Sequence, residues 1–187
     1  MSSLAARVLS RPDPITRFLL TAGLLYLAWH LFHSFVLVPD GRLDRAVIDS
    51  LIRISGAMLT LAGHELIPEP ANAEMIRTIG VQGGHLLWIG DPCNGVSVFA
   101  VFLIFLIAFP GPLKHKLWFA AVGLISIHLI NALRIAVLCH IVSIDYELLN
   151  FNHDYTFHLV VYGWVFGLWY LWVKRFAPRS LSAAPAQ

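Results

Sequence analysis

The sequence contains little charge. Of its 187 residues, 13% are charged and 58% are hydrophobic, whereas a soluble domain carries about 25% charged residues. A formal net charge of +2 gives no electrostatic reason to expect a nucleic-acid partner. With only two cysteines, Cys93 and Cys139, a disulfide framework is excluded, and we do not expect these two to be bridged. The composition therefore predicts a membrane protein.

Apolar runs long enough to cross a bilayer account for much of the chain. A span needs about 20 residues for a hydrocarbon core roughly 30 Å thick. Four spans are predicted, at about 18–38, 93–109, 117–144 and 155–173, the second being short. The first run is longer than the roughly 7–15 residues of a signal-peptide core and shows no cleavage site, so we expect an uncleaved anchor.

Basic residues predict how these spans are oriented. They cluster before the first span, between the second and third, and after the fourth, and all three clusters fall on one face of a four-span protein. The residues are Arg7, Arg11, Arg17, Lys114, Lys116, Lys174, Arg175 and Arg179. We therefore expect a cytoplasmic N-terminus (1–17), a single membrane-embedded domain (18–176) and a cytoplasmic tail (177–187). The acidic loop 145–154 and the segment 39–92 fall on the outer face.

The outer segment 39–92 has structure of its own. Residues 43–66 carry an apolar stripe with interleaved charges, which predicts an amphipathic helix on the outer interface, with a fifth span as the alternative. Two short runs, 75–79 and 85–89, flank Gln82-Gly83-Gly84 and predict a β-hairpin. The predicted fold is an all-α polytopic membrane protein with four transmembrane helices, this interfacial helix and the hairpin.

Cys93 stands at the start of the second apolar run. Asp91 is a suitable cap and Pro92 fits the first turn of a helix, so we expect Cys93 in that first turn. Unpaired amides and the positive end of the helix dipole would stabilise a thiolate there. The alternative is a buried structural cysteine, the common state of this residue outside disulfides.

Arg134 is the one formally charged side chain within the predicted spans. Insertion scales assign about 2.5–3.5 kcal/mol to an arginine at the centre of a membrane helix, so it should face the protein interior. His128, Asn131 and Arg134 recur every three residues and share one stripe of the helix. A structural arginine bound to backbone carbonyls, or one that snorkels outward, is the alternative.

Depth along the predicted spans brings three side chains to one level. At 1.5 Å per residue, Cys93 is roughly 24 Å above the cytoplasmic end of its helix, Arg134 about 26 Å and His158 about 24 Å. His153 would be about 32 Å up, in the outer loop. A thiol, a guanidinium and an imidazole at one level predict thiol-based acyl transfer. The spacing of the other histidines gives no metal-ligand set, so no metal and no cofactor is expected.

Three ordered motifs resemble those of the exosortase/archaeosortase family. Cys93-Asn94-Gly95 precedes an apolar helix that ends at Ala108-Phe109-Pro110 and resembles the family's nucleophile helix. Asn131-Ala132-Leu133-Arg134 resembles its Asn-x-x-Arg segment. The stretch 159–166, preceded by a histidine, resembles its last motif-bearing helix. The similarity extends from about residue 43 to 176. This chain has four predicted spans where many relatives have about eight.

The resemblance implies a membrane cysteine transpeptidase of a bacterial-type inner membrane, with its site near the outer face. Such enzymes cleave C-terminal sorting signals from secreted precursors, each signal being a short motif, an apolar span and a basic tail. Cys93 would be the nucleophile and Arg134 the proton donor or stabiliser, with Asn94, Gly95 and Asn131 in support. The histidine would be His158 by depth, or His153, because Asn152-His153-Asp154-Tyr155 resembles a histidine motif of short relatives. A non-catalytic membrane scaffold or transport subunit, with Arg134 structural, is the alternative function.

Overall fold

A computed structural model describes residues 13–68, 77–147 and 157–176, without the side chains of Pro92, Phe157 and His158. Five helices account for most of these residues. They are α1 (Pro14–Asp40), α2 (Arg42–Leu61), α3 (Val96–Ala108), α4 (Leu113–Ile144) and α5 (Phe157–Phe176). The predicted, mostly helical fold is confirmed at this level, and the first, third and fourth predicted spans each coincide with a helix.

Helix α1 begins after a capping aspartate, contains a π-helical segment and ends before a glycine. It begins at Pro14, and the Asp13 carboxylate accepts a 2.6 Å hydrogen bond from the Thr16 amide. That backbone hydrogen bond holds the pKa of the Asp13 carboxyl below its ordinary value. Residues His33–Leu37 form a π-helical segment within α1. Gly41, at φ 62°, then separates α1 from α2, in a conformation that favours glycine.

Two of the described helices are long enough to span a membrane. Helices α1 and α4 are long and apolar enough to cross a membrane, although such segments also occur as core helices or signal sequences. Helix α3 is apolar but has 13 residues, which corresponds to about 20 Å. It begins at Val96 rather than at Cys93, so the predicted helix over 93–109 is too long at its start.

The amphipathic helix predicted over 43–66 forms, but it ends at Leu61 and packs against α4. Ser55 donates a 2.8 Å hydrogen bond to the Ala132 carbonyl, and the Ser50 hydroxyl lies 3.0 Å from Nε2 of His128. These contacts make α2 and α4 parallel neighbours. Of the predicted apolar stripe, Leu51 is buried and Val47, Ile54 and Met58 are partly buried against the same core. The buried stripe of α2 also includes polar residues that have partners in the interior. Its members are Asp44, Ile48, Leu51, Ser55, Gly56 and Leu59.

The predicted β-hairpin is confirmed, in a shorter form. Strands β1 (Thr78–Ile79) and β2 (Leu87–Trp88) pair antiparallel, and Leu66 adds a single antiparallel bridge to Val81. Apolar residues of the hairpin pack with those of α2 and the second half of α4, and we call this group the hairpin cluster. Its buried members from the hairpin segment are Ile79, Val81, Leu87 and Ile89.

A second group of buried side chains, the aromatic cluster, joins α3, the first half of α4 and α5. Its buried members are Phe102, Leu106, Phe119, Ile127, Val165 and Trp172. Helices α4 and α5 run antiparallel here, since the Trp164 indole donates to the Ser126 hydroxyl while Phe119 contacts Trp172. Gly123 allows the Phe102 ring to lie directly on α4, because an added Cβ would be 2.2 Å from that ring.

We expect Gly123→Val to destabilise the protein by about 1–3 kcal/mol, because the new side chain overlaps a buried ring. Gly167→Val is the matched control, since no atom lies within 4 Å of a Cβ added at Gly167. Thermal unfolding of both variants in the same detergent measures the difference. Equal melting temperatures for the two variants would show that the Phe102–Gly123 contact does not limit stability.

Candidate functional site

The segment Asp91–Gly95 is a tight turn that leads into α3. Asp91–Cys93 form one turn of 3-10 helix, in which the Cys93 amide donates to the Gly90 carbonyl at 2.9 Å. Gly95 follows at φ 82°, and α3 starts at the next residue. Cys93 therefore precedes the first turn of α3, contrary to the prediction. Asp91 is also not the cap of α3, because Gly95 occupies that position.

Asn94, the residue before this cap, supplies a side-chain hydrogen bond of the kind expected from Asp91. Its side-chain oxygen accepts a 2.8 Å hydrogen bond from the Val96 amide at the start of α3. Its side-chain nitrogen donates to the Asp44 carboxylate of α2 at 2.5 Å. Asn94 and Asp44 are 2% and 3% exposed, so this polar pair lies in the interior. A buried carboxylate requires such a partner, and the pair therefore holds the turn against α2.

Asp44 is the site residue that the sequence prediction missed. In the sequence it is one of the charges interleaved with the apolar stripe of the predicted amphipathic helix. Asp44 lies four residues before Ile48 and seven before Leu51, so helical spacing places it on the face of α2 that is buried. This spacing was the signal present in the sequence. A charged residue on a buried stripe indicates a specific partner, although the register alone does not identify that partner as Asn94.

Asn131 joins two of the predicted motifs through its amide group. Its side-chain nitrogen donates a 3.0 Å hydrogen bond to the Cys93 carbonyl, and its side-chain oxygen accepts a 3.3 Å hydrogen bond from Nη1 of Arg134. Gly95 fits closely beside it, because an added Cβ would lie 3.1 Å from the same nitrogen. The structure thus brings Cys93, Asn94, Gly95, Asn131 and Arg134 into one connected site.

The Arg134 guanidinium is half-buried and incompletely satisfied. Its Nε is buried and has no hydrogen-bond partner among the described residues. The ion pairs found in residues 13–68, 77–147 and 157–176 join Arg42 to Asp40 and Arg77 to Asp49, so no described carboxylate neutralises Arg134. A small cavity of about 40 Å³ lies against this group, and we call it the arginine cavity. It is lined by Gly95, Val98, Ile127, Asn131, Arg134, Val161 and Tyr162.

The two candidate histidines are not both described. His153 lies outside the described residues. His158 is the second residue of α5, and its side chain is not described. On α4, Arg134 is eight residues beyond Ser126, the partner of Trp164, so the antiparallel register makes Arg134 level with the start of α5. The choice between the histidines stays a prediction.

The two thiols differ in their surroundings. Cys93 is partly buried and packs against the hairpin cluster, whereas Cys139 is 1% exposed inside it. Among the described residues, no group of three or more His, Cys, Asp or Glu side chains is arranged to hold a metal ion. The site therefore offers the partly buried Cys93 and a guanidinium whose Nε has no hydrogen-bond partner among the described residues.

We expect Asp44→Ala to destabilise the protein by about 1–3 kcal/mol, because it leaves the buried Asn94 amide without its acceptor. Asp49→Ala is the control on the same helix, since Asp49 is exposed in its ion pair with Arg77 and should contribute less than about 1 kcal/mol. Chemical unfolding in detergent compares them. A larger loss for Asp49→Ala would contradict this assignment of the buried pair.

Comparisons of the chain with protein-family models, with curated proteins and with solved structures gave no match. The resemblance to the exosortase/archaeosortase family therefore stays a prediction from the three sequence motifs.

Proposed function

We propose that this protein is a membrane-embedded cysteine transpeptidase or peptidase that cleaves C-terminal sorting signals from secreted precursors. The observation that carries the proposal is the hydrogen-bonded connection from the Cys93 carbonyl through the Asn131 amide to the Arg134 guanidinium. Cys93 and Asn131, 38 positions apart along the chain, meet there, and Asn131 in turn contacts Arg134. A structural arginine bound to helix carbonyls would not require this connection to a cysteine-bearing turn.

The proposed topology has four spans, both termini in the cytoplasm and the site near the outer face. Two described helices have the length and hydropathy of spans, which supports the proposal without establishing the membrane topology. The short α3 would reach the outer interface through the 3-10 turn that precedes it. A precursor with a basic cytoplasmic tail would then present its scissile bond at the level of Cys93.

The chemistry follows from the residues of the site. Sγ of Cys93 attacks the carbonyl carbon of the scissile peptide bond, and Arg134 stabilises the negative charge that develops on the carbonyl oxygen. The histidine, His158 or His153, accepts the thiol proton and passes it to the departing amine as the C–N bond breaks. Water or a polar acceptor then attacks the acyl-thioester and releases Cys93.

Arg134 has no carboxylate partner among the described residues, which supports this role. A guanidinium that is already bound to a carboxylate has less attraction for a new negative charge. Arg134 instead has one described hydrogen bond, to a neutral amide oxygen, and a buried Nε that faces no described acceptor. Such a group is oriented in advance for an oxyanion, which is how preorganised donors lower the barrier to acyl transfer.

We expect Cys93→Ala and Cys93→Ser to leave precursors uncleaved while the protein itself accumulates normally. Cys139→Ala is the matched control, because Cys139 is buried inside the hairpin cluster and should be dispensable for cleavage. Immunoblots of precursor and enzyme in the same membranes measure both quantities. Normal processing with Cys93→Ala at wild-type abundance would instead favour a non-catalytic scaffold or transport subunit.

Arg134→Lys should reduce cleavage by about 100-fold or more, as expected when a donor to a developing oxyanion is lost. Lysine keeps the charge but cannot reproduce the planar guanidinium that bonds to Asn131. Turnover measured at equal amounts of folded protein separates catalysis from stability. If the remaining activity follows the loss of folded protein alone, Arg134 has a structural role.

A further inference from the structure

A second cavity adjoins the arginine cavity, and we call it the α1 groove. It has a volume of about 200 Å³ and lies between α1, α3 and α5. Its lining residues are Tyr26, Trp29, His30, His33, Ser97, Val98, Val101 and Tyr162. Val98 of α3 and Tyr162 of α5 also line the arginine cavity, so the two cavities are adjacent.

The packing of three helices opens this groove. Phe105 of α3 stacks on Trp169 of α5 at 4.6 Å, and it meets Phe18 of α1 edge-to-face at 5.7 Å. Helices α1 and α5 therefore flank α3 at the end farther from Cys93. The groove lies at the other end of α3, beside Gly95. It lies against α1, which has no buried residue between Pro14 and Phe32.

The polar groups of the groove are unusual for the side of an apolar helix. His30 stacks on Tyr26 and His33 packs against Trp29, each four residues along α1. Within the described part of the chain, no hydrogen bond of either imidazole ring is found. His33 also begins the π-helical segment, and such wide turns occur frequently at functional sites.

A peptide must be extended around its scissile bond before a thiolate can attack it. In a membrane, an extended backbone needs hydrogen-bond partners from the protein, because lipid provides none. The two imidazoles and the hydroxyls of Tyr26 and Ser97 are donors and acceptors in a groove that adjoins the Arg134 site. Aromatic and aliphatic walls suit the apolar side chains that begin a membrane span.

We propose that the α1 groove binds the precursor segment that follows the scissile bond, in an extended conformation, with His30 and His33 hydrogen-bonded to its backbone. The inference rests on the proposed peptidase function. It assigns the groove to the apolar leaving segment of the substrate, which enters between α1 and α5 from the bilayer. The segment before the scissile bond would lie on the other side of Arg134.

The first experiment identifies the precursors independently of the groove. C-terminal peptides of membrane proteins are compared by mass spectrometry between cells with the unaltered protein and cells with Cys93→Ala. Precursors are the proteins whose C-terminal segment is retained only with Cys93→Ala. If no such protein exists, the peptidase function fails, and the inference fails with it.

The second experiment tests the groove by photocrosslinking in the Cys93→Ala protein. A benzophenone amino acid replaces His30 or His33, and Leu27 or Leu31, which are exposed on α1 but do not line the groove, are the matched control positions. We expect crosslinks from the two groove positions to the residues directly after the cleavage point. Crosslinks only to lipid, or equal crosslinking from the control positions, would overturn the inference and leave the peptidase function standing.

The third experiment measures the contribution of the imidazoles. The double variant His30→Ala/His33→Ala should raise KM for an identified precursor about tenfold with kcat nearly unchanged, because two backbone hydrogen bonds are lost before the chemical step. His30→Gln/His33→Gln keeps a donor and an acceptor at each position and should stay within about threefold of the original KM. An unchanged KM in the alanine double variant would contradict the groove assignment.

Discussion

The hydrogen bonds of the Asn131 side chain connect the parts of this molecule on which the functional proposal depends. One end of the amide holds the carbonyl of Cys93, and the other accepts from the Arg134 guanidinium. An amide can do both at once because it carries donors and an acceptor on one rigid plane. Aspartate would lose the donor to Cys93, and leucine would lose both bonds. The i, i+3 spacing keeps Asn131 and Arg134 on one face of α4.

Helix α2 also holds the Asp91–Gly95 turn in place. Asp44 binds the Asn94 amide, while Ser55 binds a carbonyl of α4, so one helix contacts both the turn and the helix that carries Arg134. Buried polar contacts of this kind specify one arrangement, because a shifted helix would leave a carboxylate or an amide unsatisfied in the interior. The hairpin covers the same region with apolar side chains. A segment predicted to lie on the membrane surface thus becomes part of the support for the site.

Residue patterns were sufficient to predict most of the helices, the hairpin and the position of Asn131 and Arg134 on one face of α4. Each of these depends on residues close together in the chain, such as Gly83 in the hairpin turn. The start of α3 was not predictable, because Asp91-Pro92 and Asn94-Gly95 are competing start signals a few residues apart. Only the tertiary contact between Asn94 and Asp44 favours a helix start after Asn94-Gly95. That contact joins residues 50 positions apart, and no local pattern encodes it.

The α1 groove is the proposed binding site for the substrate segment that follows the scissile bond. His30 and His33 had no assigned role in the sequence, since no acidic partner or metal-ligand spacing accompanied them. In the structure they line a groove together with Val98 and Tyr162, which also line the arginine cavity. The two histidines therefore lie near the proposed catalytic site. Helix α1 would then contribute to substrate binding in addition to anchoring the chain.

The central claim is that Cys93 forms a covalent acyl intermediate. Intact-mass and peptide-level mass spectrometry of the protein, purified rapidly from cells that process precursors, tests this most directly. We expect a precursor-derived adduct on Cys93 that hydroxylamine releases, as a thioester requires. Efficient precursor cleavage with no adduct on Cys93 in rapidly quenched samples, or an adduct confined to Cys139, would contradict the account.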